Sequence, residues 1–135
     1  MEPGALAEFC VYTIVDGARL NRLAKERRTE PFEERKRWVT AQRLWAKANS
    51  TKVLMPVIFG DAADCTRLLY WGVLIDVKIL EHATQFEVDR LRNVSGKHSP
   101  QELVLRESGR QIAPGFIKPY AICRTPKFVR PQVAV

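Results

Sequence analysis

Cysteine, histidine and paired aspartate are the residue types with the widest chemical reach in this chain, and their spacing decides what they can do. Cys10, Cys65 and Cys123 lie 55 and 58 positions apart and are odd in number, which is no disulfide framework and fits a reducing, cytoplasmic compartment. His82 and His98 have no histidine or cysteine at ligand spacing, so no metal is expected. Asp61 and Asp64 share a loop, but a calcium loop starting at Asp61 would need an acid at its twelfth position, where Gly72 stands. Gly96-Lys97 lacks the glycine five residues earlier that a phosphate loop requires; Leu91 is there instead. No serine sits in a Gly-x-Ser-x-Gly elbow. Cys65 could formally pair with His82, yet the adjacent Asp64 carboxylate would raise the thiol pKa and oppose activation. Asn93-Val94-Ser95 is a glycosylation sequon in form alone. No catalytic residues and no cofactor follow from these patterns.

The chemistry that remains is ionic. Of the 135 residues, 22 are Lys or Arg and 15 are Asp or Glu, a net charge of +7. Residues 17–50 hold ten bases against four acids, whereas residues 1–16 hold three acids and no base. A basic concentration of this kind attracts phosphate, and nucleic acid is its commonest cellular source. A solvated helix face that keeps the protein soluble is the competing explanation.

The segment that displays this charge reads as a helix opening near Pro31, a residue suited to a first helical turn. At 100° per residue, Trp38, Ala41, Trp45 and Ala48 share an arc of ~80°, with Lys36, Thr40, Arg43 and Lys47 in an arc of ~60° almost opposite. Arg35 and Arg37 flank the apolar stripe. One face packs and the other meets water or an anion.

Around it, Phe9 to Val15 is a β-branched and aromatic run, apolar on both faces, which predicts an inner strand. Ala18 to Arg28 has helical spacing. Val53 to Phe59 predicts a strand that Pro56 would push to an edge or a bulge. Leu68 to Leu80 is the strongest strand, with Leu69, Trp71, Val73, Ile75, Val77 and Ile79 on one face and a bend invited at Gly72. Thr84 to Arg92 predicts a short helix with a capping box from Thr84 to Glu87. Short strands at Leu103 to Leu105 and Lys118 to Arg124, turns at Ser108-Gly109 and Pro114-Gly115, and a loose tail over 130–135 complete the chain. About five strands and two or three helices in mixed order define an α+β fold, a small mixed or antiparallel barrel in a single domain over 1–135. No uncharged apolar run approaches the ~20 residues of a membrane helix, and the N-terminus lacks the basic start of a secretory signal.

The stretch RWVTAQRLWAKANSTKVLMPVIFGDAADCTRLLYWGVLIDVKI, Arg37 to Ile79, resembles the PUA-like superfamily, and particularly its EVE and ASCH relatives. The likeness is carried by the basic helix with its Ala-Gln pair, the strand after it, Gly60-Asp61, and the Gly72-Val73-Leu74-Ile75-Asp76-Val77 pattern. It implies a small β-barrel with flanking helices that binds RNA or DNA, in several relatives with a modified or flipped base in an aromatic-lined pocket. On these residues Tyr70, and Trp45 beside Asn49 and Ser50, are the pocket candidates, while Trp71 belongs to the core. Phosphates would be held by Arg35, Lys36, Arg37, Arg43 and Lys47 in a domain that is not an enzyme. The alternative is a regulatory module that docks the basic helix on an acidic protein partner. A nucleotide-directed enzyme ranks third, for want of an acid/base pair.

Overall fold

Phe9–Val15 forms β1, and its alternation sends side chains to two different cores. Val11 enters one hydrophobic cluster, while Cys10 and Tyr12 enter a second on the opposite face. An inner strand with both faces covered needs this two-sided apolar run, as its sequence indicated. The computed structural model describes residues 5–94, 97–113 and 120–129, apart from the Cys65 side chain. The predicted turn at Pro114-Gly115, the start of the last strand and the tail over 130–135 lie outside them.

Asp16 caps helix α1 (Gly17–Glu26), its carboxylate accepting the Ala18 N–H, and Arg27 ends the helix in the left-handed conformation. Then comes the first departure from the periodicity. Pro31 opens no helix: Phe32–Glu34 is a three-residue strand, β2, and helix α2 runs over Val39–Ser50. Phe32 is 2% exposed and stacks on Phe86 at 5.2 Å. That tertiary contact, invisible to local spacing, overrides the helical reading. Lys36 therefore lies before the helix, off the stripe that carries Arg43 and Lys47.

Strand β3 (Pro56–Asp61) pairs parallel with β1 and antiparallel with β4 (Asp64–Ile79), so it is internal and not at an edge. Pro56 is tolerated as its first residue. The predicted short helix after Ala83 is instead β5 (Thr84–Asn93), in which Thr84, Phe86 and Val88 are buried and Gln85 and Glu87 half-buried. The burial alternates with a period of two, and the polar alternate positions Gln85 and Glu87 hide it behind the spacing of a capping box. Ser99 and Glu102 do form a capping box, on the 3-10 turn Pro100–Glu102. Leu103–Leu105 is reduced to isolated bridges from Val104 and Leu105, and β6 covers Tyr120–Arg124.

These strands make one sheet in the order β2-β5-β4-β3-β1-β6, curled into a half-barrel with two helices, an α+β fold. Leu20, Leu23, Ala41 and Ala48 bring both helices onto the first core. Leu103, Ile112 and Val129, from the irregular C-terminal part, cover the second.

Two irregularities between β4 and β5 change which side chains share a face. One spans Trp71/Val73 and the other Leu74/Asp76, and each inserts a residue that shifts the alternation. Hence Trp71 joins the second core while Val77 joins the first, and Ile75 is 44% exposed. The single apolar face read along Leu69 to Ile79 is thus split. Gly72 sits at the first irregularity, as anticipated; a Cβ there would lie 2.4 Å from Val88 Cγ1 and 2.8 Å from the Asp89 carbonyl oxygen. No helix among the described residues is long and apolar enough to cross a membrane.

Candidate anion-binding surface

The segment Arg35 to Arg37 is held in place by one buried hydroxyl. Thr84, fully buried on β5, donates its Oγ1–H to the Lys36 carbonyl at 2.7 Å and accepts the Trp38 N–H at 2.8 Å. The two bonds bracket Arg37 and fix the entry to α2. Arg35, Lys36 and Arg37 are exposed, as are Arg43 and Lys47 one turn apart on α2. None of these five side chains has a carboxylate within ion-pair distance among the described residues. Asn49 and Ser50 are exposed in the last turn of α2, where Ser50 Oγ donates to the Lys47 carbonyl at 2.8 Å and serves the helix end.

The bases of α1 and the turn after it behave differently. Glu30 holds Arg19 at 2.8 Å, Arg22 at 3.2 Å and Arg28 at 3.7 Å, and Glu26 holds Arg28 at 2.8 Å. Desolvation pushes the Glu30 carboxyl up, but hydrogen bonds and charge from Arg19 and Arg22 outweigh it and set the pKa below the ordinary value. The excess positive charge of residues 17–50 is therefore partly neutralised on α1 and left open along residues 35–47.

The aromatic candidates are packed away from that surface. Tyr70 is 7% exposed, and its hydroxyl donates to Asn21 Oδ1 on α1, the other helix. Trp45 is half-buried against β4, its Nε1–H donated to the Leu74 carbonyl at 3.0 Å. Trp38 and Trp71 are core residues at 0% and 3% exposure. The structure thus brings the five bases to exposed positions and does not bring Tyr70 beside them.

A second basic locus was missed in the sequence. A groove of about 360 Å³ runs between the end of α1 and β5, lined by Arg27, Arg28, Arg90, Arg92 and Asp89 over apolar side chains such as Leu23 and Leu91. Arg27 and Arg90 have φ of 53° and 58°, the left-handed region that normally favours glycine. Arg90 belongs to the irregular stretch where β5 is out of step with β4. Arg92 lies over the Trp71 ring at 4.5 Å, and its pKa is lowered by desolvation and then by the charge of Arg90. The Asp-Arg-Leu-Arg run at 89–92 was the available signal, but only strand pairing places it against the end of α1.

Among the described residues, no three His, Cys, Asp or Glu side chains converge in a way that could hold a metal ion. Cys10 and Cys123 are fully buried partners across β1 and β6. Burial, together with the charge of Cys123, raises the Cys10 thiol, and burial pushes Cys123 up to about 12. Such thiols are poor nucleophiles. Compared with family models, curated proteins and solved structures, the chain has no match.

Proposed function

We propose that this is a cytoplasmic, non-enzymatic nucleic-acid-binding domain of PUA-like type that holds the phosphate backbone through Arg35, Lys36, Arg37, Arg43 and Lys47. One observation carries the reading: these five bases are exposed and without an ion pair among the described residues, whereas Glu26 and Glu30 hold Arg19, Arg22 and Arg28 around α1. Such a surface releases counterions on binding, so affinity falls steeply with salt. Trp45, half-buried in the middle of α2, is the aromatic candidate that keeps some exposed surface.

Fluorescence anisotropy with labelled single- and double-stranded RNA and DNA at two salt concentrations tests the proposal. The double variant Arg43→Glu/Lys47→Glu should weaken binding to every sequence and flatten the salt dependence by roughly one for each lost contact. Unchanged affinity in that variant overturns it.

A second reading is favoured by the burial of Tyr70. Without an open aromatic face, the same five bases suit an acidic protein partner, recognised by charge alone. Binding that never discriminates among nucleic acids, and is outcompeted by an acidic polypeptide at equal charge, supports this reading.

A further inference from the structure

We propose that the groove between the end of α1 and β5 is a second binding site, distinct from the α2 surface, and that it takes a terminal phosphate on a nucleotide-sized ligand. Three independent features meet there. Four arginines face a single aspartate, and Asp89 already accepts the Arg90 N–H on Oδ1 at 2.8 Å. Arg28 is engaged by Glu26 and Glu30, which leaves Arg27 and Arg90 without an ion pair among the described residues. A phosphate monoester carries about −1.5 to −2 charge and three acceptor oxygens, and so suits the two free guanidiniums of Arg27 and Arg90.

The backbone supplies the second feature. Arg27 and Arg90 occupy left-handed positions at which a side chain costs roughly 1–2 kcal/mol that glycine avoids. Lys52, with φ of 61°, is the third such non-glycine residue among those described and lies outside the groove; the other two stand on its two walls, as strain retained at a binding site would. The third is size. About 360 Å³ with an apolar floor of Leu23 and Leu91 exceeds a bare phosphate and falls in the range of small-ligand pockets. The carbonyl end of α1 disfavours an anion, and the cap offsets this in part: the Arg27 N–H bonds the Ala24 carbonyl and the Arg28 N–H the Leu23 carbonyl.

Two sources present this chemistry: a free mononucleotide and the 5′-phosphorylated end of a nucleic acid. The test is calorimetric titration with adenosine, adenosine 5′-monophosphate, and one short oligonucleotide with either a 5′-phosphate or a 5′-hydroxyl. The monophosphate should bind at least tenfold tighter than adenosine. Arg27→Gly and Arg90→Gly should each weaken it several-fold while the melting temperature stays equal or rises, since glycine relieves the backbone at both positions. Arg43→Glu/Lys47→Glu should leave it unchanged. A matching preference for the phosphorylated oligonucleotide assigns the site to nucleic-acid ends; its absence, with the monophosphate still bound, assigns it to the free nucleotide. Equal binding of adenosine and its monophosphate, or full affinity in both glycine variants, overturns the proposal. The α2 reading fails separately, on Arg43 and Lys47.

Discussion

The indole of Trp38 stacks on the ring of Tyr120 at 4.9 Å, with 9° between the planes, although Tyr120 belongs to the edge strand β6 at one end of the sheet. On its other side Trp38 stacks on Phe86 at 4.2 Å, and Phe86 on Phe32 of β2, the opposite edge. Arg19 caps the series over Phe32 at 4.2 Å. A column of aromatic rings therefore links the two edge strands, and Trp38, which precedes α2, is its keystone.

Trp38→Ala should cost about 3–5 kcal/mol, a large share of an ordinary domain's stability. The indole Nε1–H is buried without a hydrogen-bond partner among the described residues. Trp38→Phe removes that unpaired donor while keeping a ring in the column, and should lose no more than about 1.5 kcal/mol. Urea denaturation of the two variants compares the costs; equal losses would mean that a phenyl ring does not take the indole's place in the column.

Gly72→Ala should destabilise by about 1–3 kcal/mol through overpacking. Its Cβ meets the Val88 side chain and also the Asp89 backbone carbonyl. Trimming Val88 in the double variant Gly72→Ala/Val88→Ala should not restore stability, because the carbonyl cannot retreat without opening the β4–β5 pairing. A shift in denaturation midpoint measures both.

Stability should decline above pH ~8.5, where unfolded thiols ionise. Cys123, with its pKa pushed up to about 12, and Cys10, raised well above its ordinary value, keep their protons in the fold. The unfolded chain then binds fewer protons than the folded one, so unfolding free energy falls as pH rises through this window. Each thiol contributes a slope of about 1.4 kcal/mol per pH unit. Cys123→Ala should show a shallower alkaline decline in thermal melts at pH 8 to 10.

Glu30→Gln acts at the other end of the scale. The Glu30 pKa is lowered by its arginines, so the stability it contributes is present above pH ~4.3 and is lost as pH falls through its folded value. The variant should be less stable than the parent at pH 7 and low salt, and the two should converge in acid. Melting curves from pH 7 to pH 3 reveal the convergence, and added salt should narrow the gap at pH 7.

Long β-branched runs made β1 and β4 legible, and the Trp38/Ala41/Ala48 stripe marked the buried face of α2 correctly. What spacing could not supply was pairing. Strand β2 is three residues long and exists because Phe32 meets Phe86. Strand β5 was hidden by its polar alternate positions, although Thr84, Phe86 and Val88 mark its period. At the candidate site, Arg43 and Lys47 emerge from the helical count, but Tyr70, a pocket candidate by its residue type, is covered by α1 through Asn21. The arginine groove joins two distant segments, and it depends on the irregular register near Arg90. No local pattern encodes such a junction.

The sheet order has a consequence for how the chain can assemble during synthesis. Strand β1 lies between β3 and β6, and Cys10 donates to the Arg124 carbonyl across a sequence separation of 114 residues. The β4–β5 hairpin can zip as soon as it is made, whereas β1 keeps one bare, apolar edge until residues 120–124 arrive. Pulse-labelled hydrogen exchange during refolding should find amides shared by β1 and β6 protected after those of β4 and β5. A nascent chain stalled before Tyr120 would carry an adhesive strand and a Trp38 ring with one naked face, the substrate a chaperone holds.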